Sequence, residues 1–581
     1  MKDLVLFVFL QIAILNCAGT LRKKPNIVII LADDVGWNDF GIHGSSQIRT
    51  PNIDALGFNG VVLDKFYTQQ TCTPSRAALL TGNYPIRSGL QGIPLDAGEN
   101  RSLPLDMPTM PERLKGLGYR THLVGKWHLG AACKEVTPTR RGFDTHFGYW
   151  NGYVGYFSYD ISVAINTTMN FTGFDLHNGF EPQWPLKGRY ATELFTRKAV
   201  EVIDRHDRKE PLFLMLAHLA GHAGQDGVEL GVPNTTAAYE KYRYIATPER
   251  RLYADIVNIM DNSVGEIVTK LSERRMLDDT IILFFSDNGA QTTGMFQNFG
   301  SGWPFRGLKF TLNEGGVRGT GVLYSSMLQK KGYINNELIH ITDLLPTFYH
   351  AAGGNVAKLG KIDGINQWNV ISKNETTKRT ELLINIDEVN GYSGILGYEG
   401  RYKLLNGSFR NGLYNDYYGD SGRGPENPPY DIQSVLDSPT NTAIRKLAKN
   451  TPLDRTRVQS MRSALDRGWC APRAATPLYT CDDYCLFDIR ADPCETENLI
   501  GDDTKRDVID TLKGKLRGYY EQLVPETNKK VDPDSDPARF NNTWYPWLEC
   551  TPDEGHFGAA IIRRVKTIIW EFFFTPLTYQ S

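Results

Sequence analysis

Asn26-Ile27-Val28-Ile29-Ile30-Leu31-Ala32, running straight into Asp33-Asp34, is the stretch that decides the fold. The run is almost wholly apolar and rich in β-branched side chains. A strand with one wet face would alternate, so this one reads as buried on both faces. Thr280-Ile281-Ile282-Leu283-Phe284-Phe285-Ser286, followed by Asp287-Asn288, repeats the pattern. Between these two lie further strand readings at 61–67, 121–125 and 211–217. Helical patterns at 111–116, 190–208 and 249–275 separate them. Strands alternating with helices predict an α/β domain with a mostly parallel sheet flanked by helices on both faces. In such sheets ligands gather beyond the carboxyl ends of the strands.

The character changes near residue 375. Residues 382–386, 393–398 and 402–405 read as short strands with Gly/Asn turns, and 411–441, rich in Gly, Pro, Asp and Tyr, as an ordered loop. This predicts a smaller C-terminal α+β domain with an antiparallel sheet. The expected organisation is a signal peptide at 1–19, a catalytic domain at 24–375 and the smaller domain at 376–581. The 581 residues are too many for one ordinary core, and no internal repeat is visible.

Met1-Lys2, the apolar run from Leu4 to Leu15 and the small residues Cys17-Ala18-Gly19 read as a secretory signal. The alternative, a membrane anchor, needs about 20 apolar residues and this run is shorter. Seven Asn-x-Ser/Thr sequons, at Asn100, Asn166, Asn170, Asn234, Asn374, Asn406 and Asn541, agree with export. Of the eight cysteines, Cys17 leaves with the signal and Cys72 is assigned to chemistry. The even remainder, Cys133, Cys470, Cys481, Cys485, Cys494 and Cys550, predicts three disulfides whose pairing the sequence leaves open. A zinc site at Cys481, Cys485 and Cys494 is the rival, disfavoured because no histidine lies close by to complete it. At 561–579 the chain is aromatic and basic; Arg563, Arg564, Lys566 and Glu571 oppose a span, so it reads as a helix packed on its own domain. A net charge of -2 gives no footprint for nucleic acid, so an anionic substrate requires a local cationic pocket.

Cys72-Thr73-Pro74-Ser75-Arg76 supplies that pocket's nucleophile precursor, a rigid turn at a helix start and a guanidinium able to meet a tetrahedral oxyanion with paired hydrogen bonds. A surface arginine in a first helical turn would oppose the macrodipole, which favours a functional Arg76. Asp33, Asp34, Asp287 and Asn288 offer only oxygen, which suits calcium or magnesium better than zinc. Either pair alone is ordinary turn chemistry. Both following apolar strands, with the Cys72 motif between them, favour a metal site. Lys126 and His128 follow the 121–125 strand two residues apart, so an extended chain points both the same way. The lysine offers fixed positive charge and the histidine a proton carrier. His222, after the 211–217 strand, is a candidate general acid, and His218 reads as structural. Lys309 is a second candidate cation, just before Asn313-Glu314-Gly315-Gly316-Val317-Arg318.

Cys72-Thr73-Pro74-Ser75-Arg76-Ala77-Ala78-Leu79-Leu80-Thr81-Gly82 and Gly118-Tyr119-Arg120-Thr121-His122-Leu123-Val124-Gly125-Lys126-Trp127-His128 resemble the two signatures of the sulfatase family, in the alkaline-phosphatase-like superfamily. Asp33-Asp34-Val35-Gly36-Trp37-Asn38-Asp39, Thr50-Pro51-Asn52-Ile53-Asp54-Ala55-Leu56 and Arg140-Arg141-Gly142-Phe143-Asp144 narrow the resemblance to the arylsulfatase B, or N-acetylgalactosamine-4-sulfatase, branch. The resemblance implies that a formylglycine-generating enzyme oxidises Cys72 to formylglycine. It implies one Ca2+ ion held by Asp33, Asp34, Asp287, Asn288 and the modified Cys72. Arg76, Lys126, His128, His222 and Lys309 match the remaining active-site positions. One hydroxyl of the aldehyde hydrate would attack sulfur and the other would drive release of sulfate. The implied substrate is a sulfated glycan or aryl sulfate, foremost the galactosamine 4-sulfate units of glycosaminoglycans, in the lysosome or outside the cell.

Two departures stand out. The family often carries proline two residues after the position of His222, where this chain has Gly224. Relatives of the arylsulfatase B type carry cysteines soon after the signature helix, and Gln91-Gly92-Ile93-Pro94-Leu95-Asp96-Ala97-Gly98 has none. Two other functions remain open to the sequence. A phosphatase or phosphodiesterase on this scaffold would present Ser or Thr and two histidine-rich metals, and a glycan-binding protein would leave Cys72 unoxidised.

Overall fold

Ile27, Ile29 and Leu31 enter one apolar cluster, while Val28, Ile30 and Ala32 enter another. The Asn26–Ala32 strand is therefore covered on both faces, as its unbroken apolar run requires. The first cluster holds Leu79, Leu114 and Leu345, from helices Cys72–Thr81, Met110–Lys115 and Leu344–Ala351. The second holds Leu56, Leu194 and Val257, from helices Pro51–Asn59, Ala191–Arg205 and Pro248–Glu273. Truncating a fully buried residue such as Ile30 to Ala costs about 2–5 kcal/mol.

The computed structural model describes residues 24–550 apart from 168, 226–228, 448–451, 472–475 and 527. The predicted signal segment and the 561–579 tail lie outside the described residues.

The large sheet has ten strands in the order Tyr333–Asn335, Val61–Leu63, Gly321–Ser325, Thr280–Ser286, Asn26–Ala32, Leu212–Ala217, Arg120–Lys126, Thr145–Tyr149, His177–Asn178, Glu181–Pro182. From Thr280–Ser286 to Thr145–Tyr149 every neighbouring pair is parallel. The register is level: Ala32 lies opposite Ser286, Leu31 opposite Ala217, and Ala217 opposite Gly125. Asp33, Asp287, His218 and Lys126 therefore emerge along one edge. At Gly125, with φ +100°, an added Cβ would lie 1.9 Å from the Ala217 carbonyl oxygen, so glycine lets the strands close just beneath Lys126.

A second sheet of four antiparallel strands, Leu382–Asp387, Tyr392–Gly397, Tyr402–Asn406 and Cys485–Asp488, carries helix Arg506–Tyr520 on one side. The α/β sheet with a C-terminal antiparallel sheet is the predicted architecture.

Three local readings change. Residues 61–67 are two strands in two sheets, Val61–Leu63 and Phe66–Tyr67, because Asp64 turns out to meet Arg318 and Arg467 at 3.0 and 2.8 Å. The 411–441 segment is not all loop. It contains helix Ile432–Leu436, capped by Asp431, and the start of Pro439–Arg445, capped by Ser438. Val435, Ala443 and Ile444 then join the cluster of Leu56 and Val257, so this stretch packs on the large sheet's helices. The strands Thr145–Tyr149 and Gly321–Ser325 escaped the sequence reading: the first contains Gly148, and both are short.

Cys481 bonds Cys485 and Cys470 bonds Cys494, which removes the zinc alternative. Cys133 bonds Cys550, tying down a strap in which Trp547 and Leu548 N–H both donate to the Ala132 carbonyl. No described helix is long and apolar enough to cross a membrane. Of the sequons, Asn166, Asn170, Asn234, Asn374 and Asn541 are exposed, while Asn100 and Asn406 are half-buried.

Candidate active site

Four adjacent parallel strands deliver the site. Asp33 and Asp34 leave the first, Asp287 and Asn288 leave Thr280–Ser286, Lys126 ends Arg120–Lys126, and His222 follows Leu212–Ala217. Asp34 takes φ +59°, which breaks the pleat and lets two consecutive carboxylates serve one crevice. Carboxylate oxygens of Asp33, Asp34 and Asp287 lie within 4.8 Å of one another, all buried. Helix Cys72–Thr81 starts against this edge and is fixed by Ser75, whose Oγ donates to the Asp287 carbonyl at 2.5 Å and accepts from Gln69 N–H at 2.9 Å.

Three cations face the three carboxylates. Lys126 Nζ is 2.6 Å from Asp33 Oδ2, Lys309 Nζ is 2.7 Å from Asp34 Oδ2, and an Arg76 NH2 group is 2.9 Å from Asp287 Oδ2. Burial opposes the Arg76 and Lys309 charges. Asp287 and Asp33 outweigh it for Arg76, as Asp34 does for Lys309, so both groups stay above their ordinary values. Burial, then the charge of Asp33, pushes Asp287 up to about 7. That is the signature of carboxylates packed more tightly than their own counter-charges relieve.

The donor set fits a hard divalent cation. Asp33 Oδ1 and Asn288 Oδ1 are buried and have no hydrogen-bond partner. Asn288 Nδ2 donates to Asp34 Oδ1 at 2.6 Å, which orients the amide and leaves its oxygen free. Unpartnered carboxylate and amide oxygens beside further carboxylates suit an oxygen-seeking ion such as calcium.

Cys72 is 2% exposed, and burial pushes its thiol up even though Lys126 and Lys309 pull the other way. A neutral thiol is a poor nucleophile, so unmodified cysteine is badly suited to attack here.

The two histidines are held by carbonyls. His128 Nε2 donates to Leu95 O at 2.8 Å, and since a carbonyl only accepts, the neutral ring leaves Nδ1 bare. That Nδ1 is buried without a partner. His128 is not on an extended chain: its φ is +60°, and it reaches the site from a turn rather than by strand alternation. Gly152 permits this, since a Cβ there would sit 2.9 Å from the imidazole. His222 Nδ1 donates to Ala223 O at 2.7 Å and its Nε2 lies 3.5 Å from Asp34 Oδ2. Burial first, then Lys126 for His128 and Lys309 for His222, hold both well below the ordinary histidine value. Tyr153 stacks on His222 at 5.2 Å, and Phe296 lies 4.7 Å from Tyr153, forming an aromatic wall beside it. His218 hydrogen-bonds Ser263 Oγ at 3.1 Å, a structural placement.

The candidate metal-binding and catalytic side chains thus share one crevice, with Cys72 within electrostatic reach of Lys126, Lys309, Asp33 and Asp287 though outside the close group of the three carboxylates. Sequence reasoning passed over Ser75, although it stands within the Cys72 motif, and passed over Thr73 and the Leu95 carbonyl. A backbone oxygen carries no residue-type signal.

A family profile described as Sulfatase matches residues 25–354. Arylsulfatase J of Mus musculus is 34% identical over 539 residues, which is 92% of this chain and 81% of that protein. N-acetylgalactosamine-6-sulfatase of Homo sapiens is 31% identical over 361 residues, 60% of this chain and 66% of that protein. Among solved structures, Ps i-CgsB in complex with k-i-k-neocarrahexaose superposes with a TM-score of 0.65 at 21% identity, covering 96% of this chain and 98% of that one. The PsFucS1 sulfatase from Pseudoalteromonas sp. does so with a TM-score of 0.58 at 22% identity, covering 88% and 93%. At those identities the likeness concerns the fold.

Proposed function

This chain belongs to the sulfatase family and is a sulfuric ester hydrolase; from that premise we propose that it desulfates sulfated glycans through residue 72, oxidised to formylglycine, beside one calcium ion. The observation that carries this reading is the convergence of a buried, unreactive Cys72 with free oxygen donors and three fixed cations. Asp33, Asp34, Asp287, Asn288 and residue 72 would hold calcium, which supplies positive charge against the sulfuryl oxygens. A hydrated aldehyde at residue 72 supplies the attacking oxygen and a second hydroxyl for sulfate release.

The chain's own groups do the rest. Lys126, Lys309 and Arg76 bind the sulfate and are already in place before the reaction, so charge developing on its oxygens meets fixed positive charge. His128 presents a bare Nδ1, the atom able to take a proton from a neighbouring hydroxyl. His222 is an acid only when doubly protonated, because its Nδ1 proton is committed to Ala223 O. Burial and Lys309 oppose that state, the arriving anion favours it, and Nε2 then gives its proton to the leaving alcohol.

For substrate we propose sulfated galactosamine units of glycosaminoglycans or related glycans, on an arylsulfatase B-like branch. The named relative acting on N-acetylgalactosamine 6-sulfate makes the 4- and 6-sulfates the pair to compare. The disulfides favour an oxidising compartment, and lysosome or extracellular space is the proposed location.

The test is mass analysis of the Cys72 peptide from a eukaryotic secreting host, with hydrolysis of an aryl sulfate and an aryl phosphate in parallel. An aldehyde mass and sulfate-specific turnover are expected. Finding thiol alone, or preference for the phosphate, would defeat the proposal.

A further inference from the structure

Residues 91–101 run along one side of the site. Leu95 is their working residue. Its N–H donates to Thr73 Oγ1 at 3.2 Å and its carbonyl accepts from His128 Nε2 at 2.8 Å. Thr73 Oγ1 in turn lies 3.4 Å from the His128 carbonyl oxygen. One backbone residue therefore ties the helix start that bears residue 72 to the histidine beside it. It also decides which ring nitrogen of His128 carries the proton.

Backbone atoms hold such a post only if the segment is pinned, and here two buried side chains pin it. At the near end Gln91 donates to both Glu388 carboxylate oxygens, at 3.2 and 3.1 Å, and to Val524 O at 2.9 Å. The Gln91 carbonyl accepts from Gln70 and Asn385 side chains at 2.8 and 2.6 Å. At the far end Arg101, 5% exposed, grips the segment itself. Its guanidinium meets Glu99 at 2.5 and 3.2 Å and the Ile93 carbonyl at 3.2 Å. A further nitrogen reaches out of the segment to Glu526 at 3.2 Å. Glu526 N–H is bound by Glu388, so both anchors end on the same C-terminal residues.

We propose that Arg101 is a positioning residue for the sulfatase reaction, locking residues 93–99 between Glu99 and Glu526 so that Leu95 fixes the orientation and protonation of His128. The proposal rests on the sulfatase reading of the site. It gives the 388 and 524–526 segments a part in chemistry, although neither supplies one of the site's own side chains. An arginine is required because it must meet two acidic side chains and a carbonyl at once from one planar group.

The experiment compares Arg101→Met, Arg101→Lys and the milder Glu526→Gln with Arg379→Met. Arg379 is another buried arginine, which bonds Asp343 and Tyr84 away from residues 91–101. Aryl sulfate turnover is expressed per aldehyde at residue 72, and amide hydrogen exchange is followed by mass spectrometry. Expected for Arg101→Met are a fall in kcat of tenfold or more with KM within about threefold, and faster exchange at both 93–99 and 127–130. Arg101→Lys regains part of kcat, Glu526→Gln falls between, and Arg379→Met keeps kcat despite a comparable loss of Tm. An Arg101→Met kcat within twofold of the parent overturns the proposal, as does an equal loss in Arg379→Met. If the parent chain hydrolyses no sulfate ester, the functional reading fails separately. The exchange data then decide alone: unchanged exchange at 127–130 refutes the link from Arg101 to His128.

Discussion

Lys126→Ala tests the cation site with the fewest assumptions. Lys126 and Asp33 are both fully buried and 2.6 Å apart. Among the described residues, removing the ammonium leaves Asp33 Oδ2 with only Arg76, at 4.0 Å, and Oδ1 with no partner. Breaking a buried pair by deleting one member costs about 3–5 kcal/mol, because the survivor is an uncompensated buried charge. A divalent ion among the carboxylates restores that compensation, so with calcium present the cost should shrink to about 1 kcal/mol, near that of a lost hydrogen bond. By linkage the recovered amount, about 2–4 kcal/mol, must appear as tighter calcium binding by the variant, roughly 30- to 1,000-fold. Turnover in calcium should fall about 100- to 1,000-fold, the usual effect of losing one preorganised charge on a developing anion. The assay is thermal unfolding of parent and variant in calcium and after chelation, with a calcium titration. An equal loss of Tm under both conditions would refute the reasoning, since Asp33 would then share no ion with its neighbours.

Three further outcomes follow from the contacts. Cys72→Ala should keep Tm within a few degrees and lower aryl sulfate turnover at least about 1,000-fold; turnover within tenfold of the parent would place the nucleophile elsewhere. Cys133→Ala opens a link spanning 417 residues and should destabilise by about 2–5 kcal/mol, read as a lower unfolding midpoint and faster proteolysis of the 543–550 strap. Glu526 is raised from 4.5 to about 8, chiefly by burial and then by Asp387. An acid that holds its proton more tightly when folded contributes most below about pH 4.5, and that contribution is lost as pH rises towards about 8. Glu526→Gln should therefore flatten the decline of the urea midpoint across this window, and an unaltered slope would contradict it.

The sheet was legible because strands buried on both faces must be apolar throughout, and because the charged pairs stand immediately after them. Asp33-Asp34 and Asp287-Asn288 carry their own positional signal: polar residues where a parallel sheet opens its crevice. The disulfide count followed from parity, whereas the pairing of Cys133 with Cys550 depended on a strap whose course no local pattern records. The break at Asp64 was invisible for a related reason, since its partners Arg318 and Arg467 lie hundreds of residues away. Helices Ile432–Leu436 and Pro439–Arg445 hid in a loop-like composition, although Asp431 and Ser438-Pro439 are orthodox starting signals. The role of Leu95 could not be read at all, because it is exercised by amide and carbonyl groups that every residue possesses.

Residue 72 lies sealed at the start of its helix, and this has a bearing on timing. On the proposed reading, a protein-sized oxidant would have to reach that side chain before the fold hides it, so conversion would belong to the open polypeptide. The clasp from Cys133 to Cys550 joins residues 417 apart, so it cannot shut until both have been made. Variants that bury residue 72 sooner would then emerge well formed and chemically blank.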